Sequence, residues 1–310
     1  LKPIARRIHF VFFKEQKMAT SLLRDKLNRG EFIAAPGIQD MITAVVAKDI
    51  GFEVAYASGY WLTASAFGLP DAGIATYTQM LDRVGTLART MAGTAIIADA
   101  DTGYGGLLNV HHTVRGYEAA GIAAIQIEDQ EYPKKCGHTP FKRIVPVEVM
   151  VAKIKVAVEA RMDPNFLIIA RSDARQSEGF DNMMRRLEAY DAAGADVVFP
   201  EALVSEEEMR TACKTLNKPV LANMADGGKT PIRSASQLKE IGYSCAIFPA
   251  MTSLVAAAAV HNALVQFKKT GTSLNPDVEM YNFNAFCELI GFKEVWDFEK
   301  RWAGADVAAE

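Results

Sequence analysis

The sequence predicts an α/β protein of the (β/α)8 class, a TIM barrel, followed by a helical extension. Three observations carry that expectation. Short apolar runs rich in β-formers recur along the chain, helix-length amphipathic stretches separate them, and glycine closes several helices just before the next run. Strands alternating with helices imply βαβ units and a parallel sheet. About eight such units close a barrel of about 250 residues. An open doubly wound sheet is the rival that the same alternation would also build.

In chain order the expected strands are Phe32–Pro36, Val54–Ser58, Ala95–Asp99, Ala123–Glu128, Phe166–Arg171, Val197–Glu201, Pro219–Asn223 and Cys245–Pro249. Helical patterns lie between them, among them Tyr77–Met91, Val110–Ala120, Val147–Arg161, Met183–Ala193 and Glu206–Leu216. Gly51, Gly121, Gly194 and Gly242 fall where a left-handed residue ends a helix. An Ala-rich helix, Thr252–Lys269, leads to a turn at Gly271–Pro276. Beyond it Phe283, Phe286, Trp296, Phe298 and Trp302 make an aromatic helical end, expected to pack on the barrel or on a neighbouring subunit. The expected division is an N-terminal extension over residues 1–17, a catalytic barrel over 18–270 and a helical tail over 271–310.

Composition narrows the function. The 310 residues carry 34 Lys+Arg against 37 Asp+Glu, a formal charge of -3, and nucleic-acid binding needs a basic face that this balance does not supply. No apolar stretch reaches the roughly 20 residues of a membrane span. Four cysteines without regular spacing make neither a disulfide framework nor a zinc site, which points to a reducing compartment, the cytosol. Residues 1–17 are basic, with Arg6 and Arg7, but lack a small-residue cleavage site. They read as an extension before Met18, with a targeting remnant as the lesser alternative.

The informative feature is what ends each expected strand. The apolar runs finish in Ser58-Gly59, Asp99-Ala100-Asp101, Glu128-Asp129, Arg171-Ser172-Asp173, Glu201 and Asn223. Barrel active sites lie at that end of the strands. Helix capping accounts for one or two of these residues, such as Asp129 or Asp173, but not for so many in succession. Asp99 and Asp101 are two apart, so on a strand they share a side. With Asp71 and Glu128 they offer oxygen ligands only, a set that suits Mg²⁺ or Mn²⁺.

A second cluster is Lys134-Lys135-Cys136-Gly137-His138. A thiol flanked by two ammonium groups and an imidazole is expected to have a lowered pKa and be partly thiolate. Its readings rank as acid/base catalyst, then inert surface cysteine, then nucleophile, on a loop of the kind that closes over sites. Arg171 would either clamp a substrate carboxylate or pair structurally with Glu201 or Glu128.

These residues resemble the isocitrate lyase/phosphoenolpyruvate mutase superfamily. The marks are Tyr56-Ala-Ser58-Gly59, Gly68-Leu-Pro-Asp71, Asp99-Ala-Asp101-Thr-Gly103-Tyr-Gly105, Ile127-Glu128-Asp129-Gln130, Lys134-Lys-Cys136-Gly137-His138, Ala170-Arg171-Ser-Asp173 and Phe199-Pro-Glu201-Ala. The cysteine loop resembles the lyase branch, near methylisocitrate lyase, dimethylmalate lyase and the petal death protein. The resemblance implies a Mg²⁺-dependent barrel in a homotetramer with the last helix exchanged between subunits. It implies that Asp99 binds the metal directly and that Asp71, Asp101 and Glu128 act through its waters. Ser58, Gly59, Arg171 and Asn223 would hold substrate carboxylates and oxygens, and Tyr56 would face the 2-hydroxyl. Cys136 would be the acid that protonates the departing carbanion, tuned by Lys134 and His138, and Glu201 would orient the polar network.

The implied reaction is cleavage of the C2–C3 bond of a 2-hydroxy dicarboxylate or tricarboxylate to a 2-oxo acid and a carboxylic acid. Hydrolysis or decarboxylation of oxaloacetate, phosphonate mutation, and a non-catalytic scaffold are the alternatives. Two departures bear on the substrate: Tyr60-Trp61 follows Ser58-Gly59 in place of a further Gly, and Ala225-Asp226-Gly227-Gly228 replaces a Thr-Glu-Phe-Gly run. Both fall where the distal end of the substrate is expected.

Overall fold

The computed structural model describes residues 18–139, 141–274 and 277–303. The expected extension over 1–17, Pro276 of the expected turn and the last residues of the tail lie outside the described residues. The strands are β1 (Ile33–Ile38), β2 (Val54–Ala57), β3 (Ala95–Asp99), β4 (Ala124–Glu128), β5 (Leu167–Ser172), β6 (Val197–Pro200), β7 (Leu221–Asn223) and β8 (Cys245–Phe248). All named pairs are parallel, in the order β6-β5-β4-β3-β2-β1-β8-β7. A parallel bridge between Val198 and Val220 brings the two ends of the sheet together. The ring therefore closes, and the open-sheet rival is excluded.

Helical residues 18–28 (α1) precede the barrel. Then come α2 (Met41–Ile50), α3 (Gly59–Phe67), α4 (Tyr77–Thr90), α5 (Leu107–Ala119), α6 (Val147–Ala160), α7 (Arg175–Glu178), α8 (Phe180–Ala192), α9 (Glu206–Thr215), α10 (Ala235–Ile241), α11 (Met251–Thr270), α12 (Phe283–Leu289) and α13 (Phe292–Trp302). Their ends follow local chemistry. Asp40, Thr76, Ser205 and Ser234 accept backbone N–H groups at the N-termini of α2, α4, α9 and α10. Gly51, Gly121, Gly194 and Gly242 all take positive φ where helices turn into strands.

Two cores result from the period-2 alternation of the strands. Ile96, Ala98, Ile125, Ile127, Ile168, Ala170 and Val198 face the helices. Ala95, Ile97, Ala124, Leu167, Ile169, Val197, Phe199, Leu221 and Ile247 face the barrel axis, and Ala19 and Leu23 of α1 join that inner cluster. The tail behaves differently. Of the twenty residues of α11 only Ser253 is buried, and Phe267, Phe283, Trp296, Phe298 and Trp302 are exposed on this chain. No described helix is long and apolar enough to cross a membrane.

One expectation needs correction. β3 ends at Asp99, so Asp101 is not the next inward residue of a strand. It sits at φ 48 in a left-handed turn, and its N–H donates to Asp99 Oδ1 at 3.0 Å. The turn, not the pleat, brings the second carboxylate to the mouth.

Barrel closure beside the mouth depends on Gly37. A Cβ there would lie 2.3 Å from the Pro249 carbonyl oxygen, with no flexible side chain to yield. Gly37→Ala is expected to lower stability by about 1–3 kcal/mol, read as a reduced urea midpoint with unchanged slope.

Candidate active site

The alternation that fills the barrel continues one layer upward and changes character. Above Ala95 and Ile97 comes Asp99; above Leu167 and Ile169 comes Arg171; above Ala124 come Gln126 and Glu128. Tyr56 occupies the corresponding place on β2, Asn223 on β7, and Glu201 follows β6. A cavity of about 280 Å³ opens over this layer at the C-terminal ends of the strands. Tyr56, Ser58, Asp71, Asp99, Lys134, Cys136, His138, Arg171 and Asn223 line it. Asp101, Glu128 and Glu201 are buried directly behind them. Gly59 is the first residue of α3, and its N–H donates to Asp99 Oδ2 at 3.3 Å. A Cβ at Gly59 would meet that oxygen at 2.9 Å, so the close approach needs glycine.

The acids share one corner. Lys134 Nζ bridges Asp71 Oδ1 at 2.6 Å and Asp101 Oδ1 at 2.9 Å. Asp99 Oδ1 also takes Gln126 Nε2 at 3.4 Å. Burial, opposed by Lys134 and reinforced by Asp99 and Asp71, pushes Asp101 up to about 7. Burial also holds Glu128 well above the usual carboxylate range, despite Arg171 and Lys134. Glu128 Oε1 is buried with no hydrogen-bond partner. Carboxylates that outnumber nearby cations, together with an orphaned buried oxygen, suit a hard divalent cation. Among the described residues no three His, Cys, Asp or Glu side chains are grouped to hold an ion directly. The fit is therefore to a cation that keeps several waters, as Mg²⁺ does.

The cysteine loop folds over the same cavity but not with the expected electrostatics. Lys134 is committed to Asp71 and Asp101, Lys135 is exposed, and the His138 ring turns to Glu201 and Asn223. Burial raises the Cys136 pKa, and neither lysine offsets it. The lowered pKa expected from the flanking cations is thus corrected: burial outweighs them and favours the neutral thiol. The loop is anchored by Gln130, which donates to the Lys135 carbonyl at 2.8 Å and accepts the Lys135 N–H at 3.0 Å.

Opposite the acids lies a second network. Arg171 grips Asp173 through Nε and Nη2, each at 2.9 Å, and approaches Glu201 Oε2 at 3.4 Å and Glu128 Oε2 at 3.5 Å. Glu201 accepts Asn223 Nδ2 at 3.0 Å and lies 3.3 Å from His138 Nε2. Asp173 and Asp129 are therefore not helix caps. Asp129 is fully buried and accepts from Ser172 Oγ, Tyr190 OH and the Asp173 N–H.

Sequence reading also missed Gln126, which takes the Tyr56 hydroxyl at 3.0 Å, and Lys153, whose Nζ donates to the Thr102 carbonyl at 2.8 Å behind the acid corner. Gln126 carried only the weak signal of a polar residue inside an apolar strand. The two departures at Tyr60-Trp61 and Ala225–Gly228 both line the cavity, with Tyr60 and Trp61 in ring contact at 4.7 Å.

This geometry has close counterparts. A family model described as phosphoenolpyruvate phosphomutase matches residues 23–268. A 2,3-dimethylmalate lyase of Eubacterium barkeri is 41% identical over 91% of this chain and 97% of its own length. A 2-methylisocitrate lyase of Aeropyrum pernix is 41% identical over 93% of this chain and 92% of its own. Among solved structures, a 2,3-dimethylmalate lyase superposes with a TM-score of 0.86 at 36% identity, covering 92% of this chain and 95% of that one. An oxaloacetate acetylhydrolase bound to 3,3-difluorooxalacetate gives 0.87 at 33%, covering 92% and 98%. A phosphonopyruvate hydrolase solved with oxalate and Mg²⁺ gives 0.82 at 27%, covering 92% and 99%. The chain belongs to the phosphoenolpyruvate mutase/isocitrate lyase superfamily and is one of its carbon–carbon lyases.

Proposed function

We propose that this lyase cleaves the C2–C3 bond of a 2-hydroxy dicarboxylate or tricarboxylate of the 2,3-dimethylmalate or methylisocitrate type, with Mg²⁺ as cofactor and Mn²⁺ as a substitute. The observation that carries the reading is one cavity lined by both the acid corner and Cys136. A divalent cation in that corner, with Asp99 and the waters held by Asp71, Asp101 and Glu128 around it, supplies Lewis-acid polarisation of substrate oxygens.

The chain's own groups do the rest. Ser58, Gly59, Arg171 and Asn223 bind carboxylate and carbonyl oxygens, with Glu201 fixing the orientation of Asn223. Tyr56, neutral because burial raises its pKa, faces the 2-hydroxyl. As the 2-hydroxyl oxygen gives its proton to water and becomes the C2 carbonyl, the C2–C3 electron pair moves onto C3; Arg171 stabilises the growing charge and the Cys136 thiol protonates the carbon, leaving a thiolate that water reprotonates.

The cavity is also lined by Tyr60, Trp61, Ile247, Pro249 and Leu254, with Asp226 beside them. These offer alkyl contact, and among the described residues that line it the Lys and Arg side chains are Lys134 and Arg171, both already paired with acids, which favours a methyl-bearing dicarboxylate. Similarity to an oxaloacetate hydrolase keeps hydrolysis of oxaloacetate as the second reading. The exposed apolar side chains of α11 to α13 favour a homotetramer with exchanged C-terminal helices, and four cysteines without regular spacing favour a cytoplasmic setting.

Each part of this reading has an expected outcome. In a panel of 2,3-dimethylmalate, 2-methylisocitrate, isocitrate and oxaloacetate with products identified, dimethylmalate gives the highest kcat/KM. Chelation abolishes turnover, Mg²⁺ restores it, and Glu128→Gln weakens Mg²⁺ binding roughly tenfold to a hundredfold; a panel with no cleavage product refutes the reading. Cys136→Ser lowers kcat by about 10²–10⁴ with Mg²⁺ binding kept. In the wild type, cleavage persists through the ordinary thiol range and falls only as pH climbs past the raised Cys136 pKa, because the acid must carry its proton. Light scattering gives the mass of four chains; the mass of one chain would remove the assembly proposal.

A further inference from the structure

Lys142 follows the cysteine loop and has no part in the chemistry above, yet its side chain is only 3% exposed. Its ammonium donates to the Gly137 carbonyl and lies 3.3 Å from Asp173 Oδ1. Asp173 is the carboxylate that Arg171 grips with two hydrogen bonds. Its own N–H is fixed by Asp129 Oδ1 at 2.8 Å. One fully buried carboxylate therefore joins a guanidinium on β5 to an ammonium that follows the loop, and the ammonium holds the carbonyl of Gly137, the residue after Cys136.

The fit is tight. A Cβ on Gly137 would lie 2.1 Å from Arg171 Nη2 and 2.8 Å from Asp173 Oδ1, so the loop backbone rests directly on this ion pair. Burial opposes ionisation of Asp173, but Arg171 and Lys142 outweigh it and hold its carboxyl below the usual carboxylate range. Gln130 anchors the Lys135 end of the loop and His138 contacts Glu201 and Asn223 beyond it. Neither fixes the Gly137 carbonyl.

We propose that Lys142 is a positioning residue that holds the Gly137–His138 peptide, and with it the residue after Cys136, against the Arg171–Asp173 pair, keeping the thiol and the guanidinium in register over one substrate carbon. The proposal rests on the reading of Cys136 as the acid. It needs no change in Lys142 protonation and no contact between Lys142 and substrate.

The test uses the full-length chain with Lys142→Met, Lys142→Gln and Lys142→Arg. Two readouts are taken: kcat and KM on the best substrate of the panel, and the rate of Cys136 alkylation by iodoacetamide, resolved by mass spectrometry with Mg²⁺ and oxalate present. Lys142→Met is expected to lower kcat roughly tenfold to a hundredfold with Mg²⁺ affinity unchanged, and to raise Cys136 alkylation at least about tenfold, the scale of a freed loop. Lys142→Arg recovers most of both. Lys142→Gln, which keeps a donor for Gly137 without the charge, falls between them and replaces the Met variant should that one not fold. Wild-type alkylation and kcat in Met and Gln variants alike would overturn the proposal, as would a loss confined to the melting temperature. Alkylation is read without turnover, so a failure of the acid reading, seen as wild-type activity in Cys136→Ser, is separable from a failure here.

Discussion

A closed barrel obliges every strand to send alternate side chains to one axis, and the rest of this molecule depends on that constraint. The lower layers are apolar: Ala95 and Ile97, Leu167 and Ile169, Val197 and Phe199, with Ala19 and Leu23 of α1 in the same cluster. The next inward position on each strand inherits both a fixed direction and a floor that excludes water. Asp99, Glu128, Arg171 and Asn223 are thus aimed at one point by backbone geometry alone. Their side chains need little further ordering, which is what a site on rigid elements gains over one on loops.

Aiming charges at one dry point has a cost, because a buried ion without a partner loses several kcal/mol of hydration. The mouth meets it by division of labour. Arg171 answers Asp173, Glu201 and Glu128 on one side, and Lys134 answers Asp71 and Asp101 on the other. Asp129 is satisfied from below by hydroxyl and amide donors. What remains uncompensated is concentrated at Glu128 Oε1, beside Asp99 and Asp101. The leftover charge is localised, and its location is the corner where a cation fits. Replacing a neighbour such as Lys134 would therefore change metal affinity and stability together.

Much of this was legible in the sequence, for a physical reason. The eight strands announce themselves as apolar runs, and the residues that end them are placed by the fold with no help from distant partners. Asp99, Glu128, Arg171, Glu201 and Asn223 could be read that way. The loop could not. Lys134 and Cys136 are neighbours in sequence, which suggested that one tunes the other, but the backbone sends the ammonium to Asp71 and Asp101 instead. Asp173 read as a helix cap because it is an acid that follows a strand end, and nothing in the sequence shows that Arg171 grips it with two hydrogen bonds. Gln126 is a neutral residue inside β4 and has no chemical signature until Tyr56 and Asp99 are seen on either side of it.

The corrected state of Cys136 also bears on direction. Burial makes its thiolate unfavourable, with Asp71 and Glu201 adding to that effect against the pull of the His138 N–H and of Arg171. In the proposed cleavage the proton acceptor is a carbanion beside a carboxylate, a far stronger base than any thiolate, so a raised thiol pKa does not hinder the transfer. Its consequence falls on the following step. The thiolate left after protonation is held in a place that disfavours it, so reprotonation from solvent is favourable once the product leaves. A thiol lowered into the neutral range would have served the reverse, proton-abstracting direction better. The burial of the loop thus favours the protonated thiol that cleavage uses, and it does so through the same closure that sets Gly137 on the Arg171–Asp173 pair.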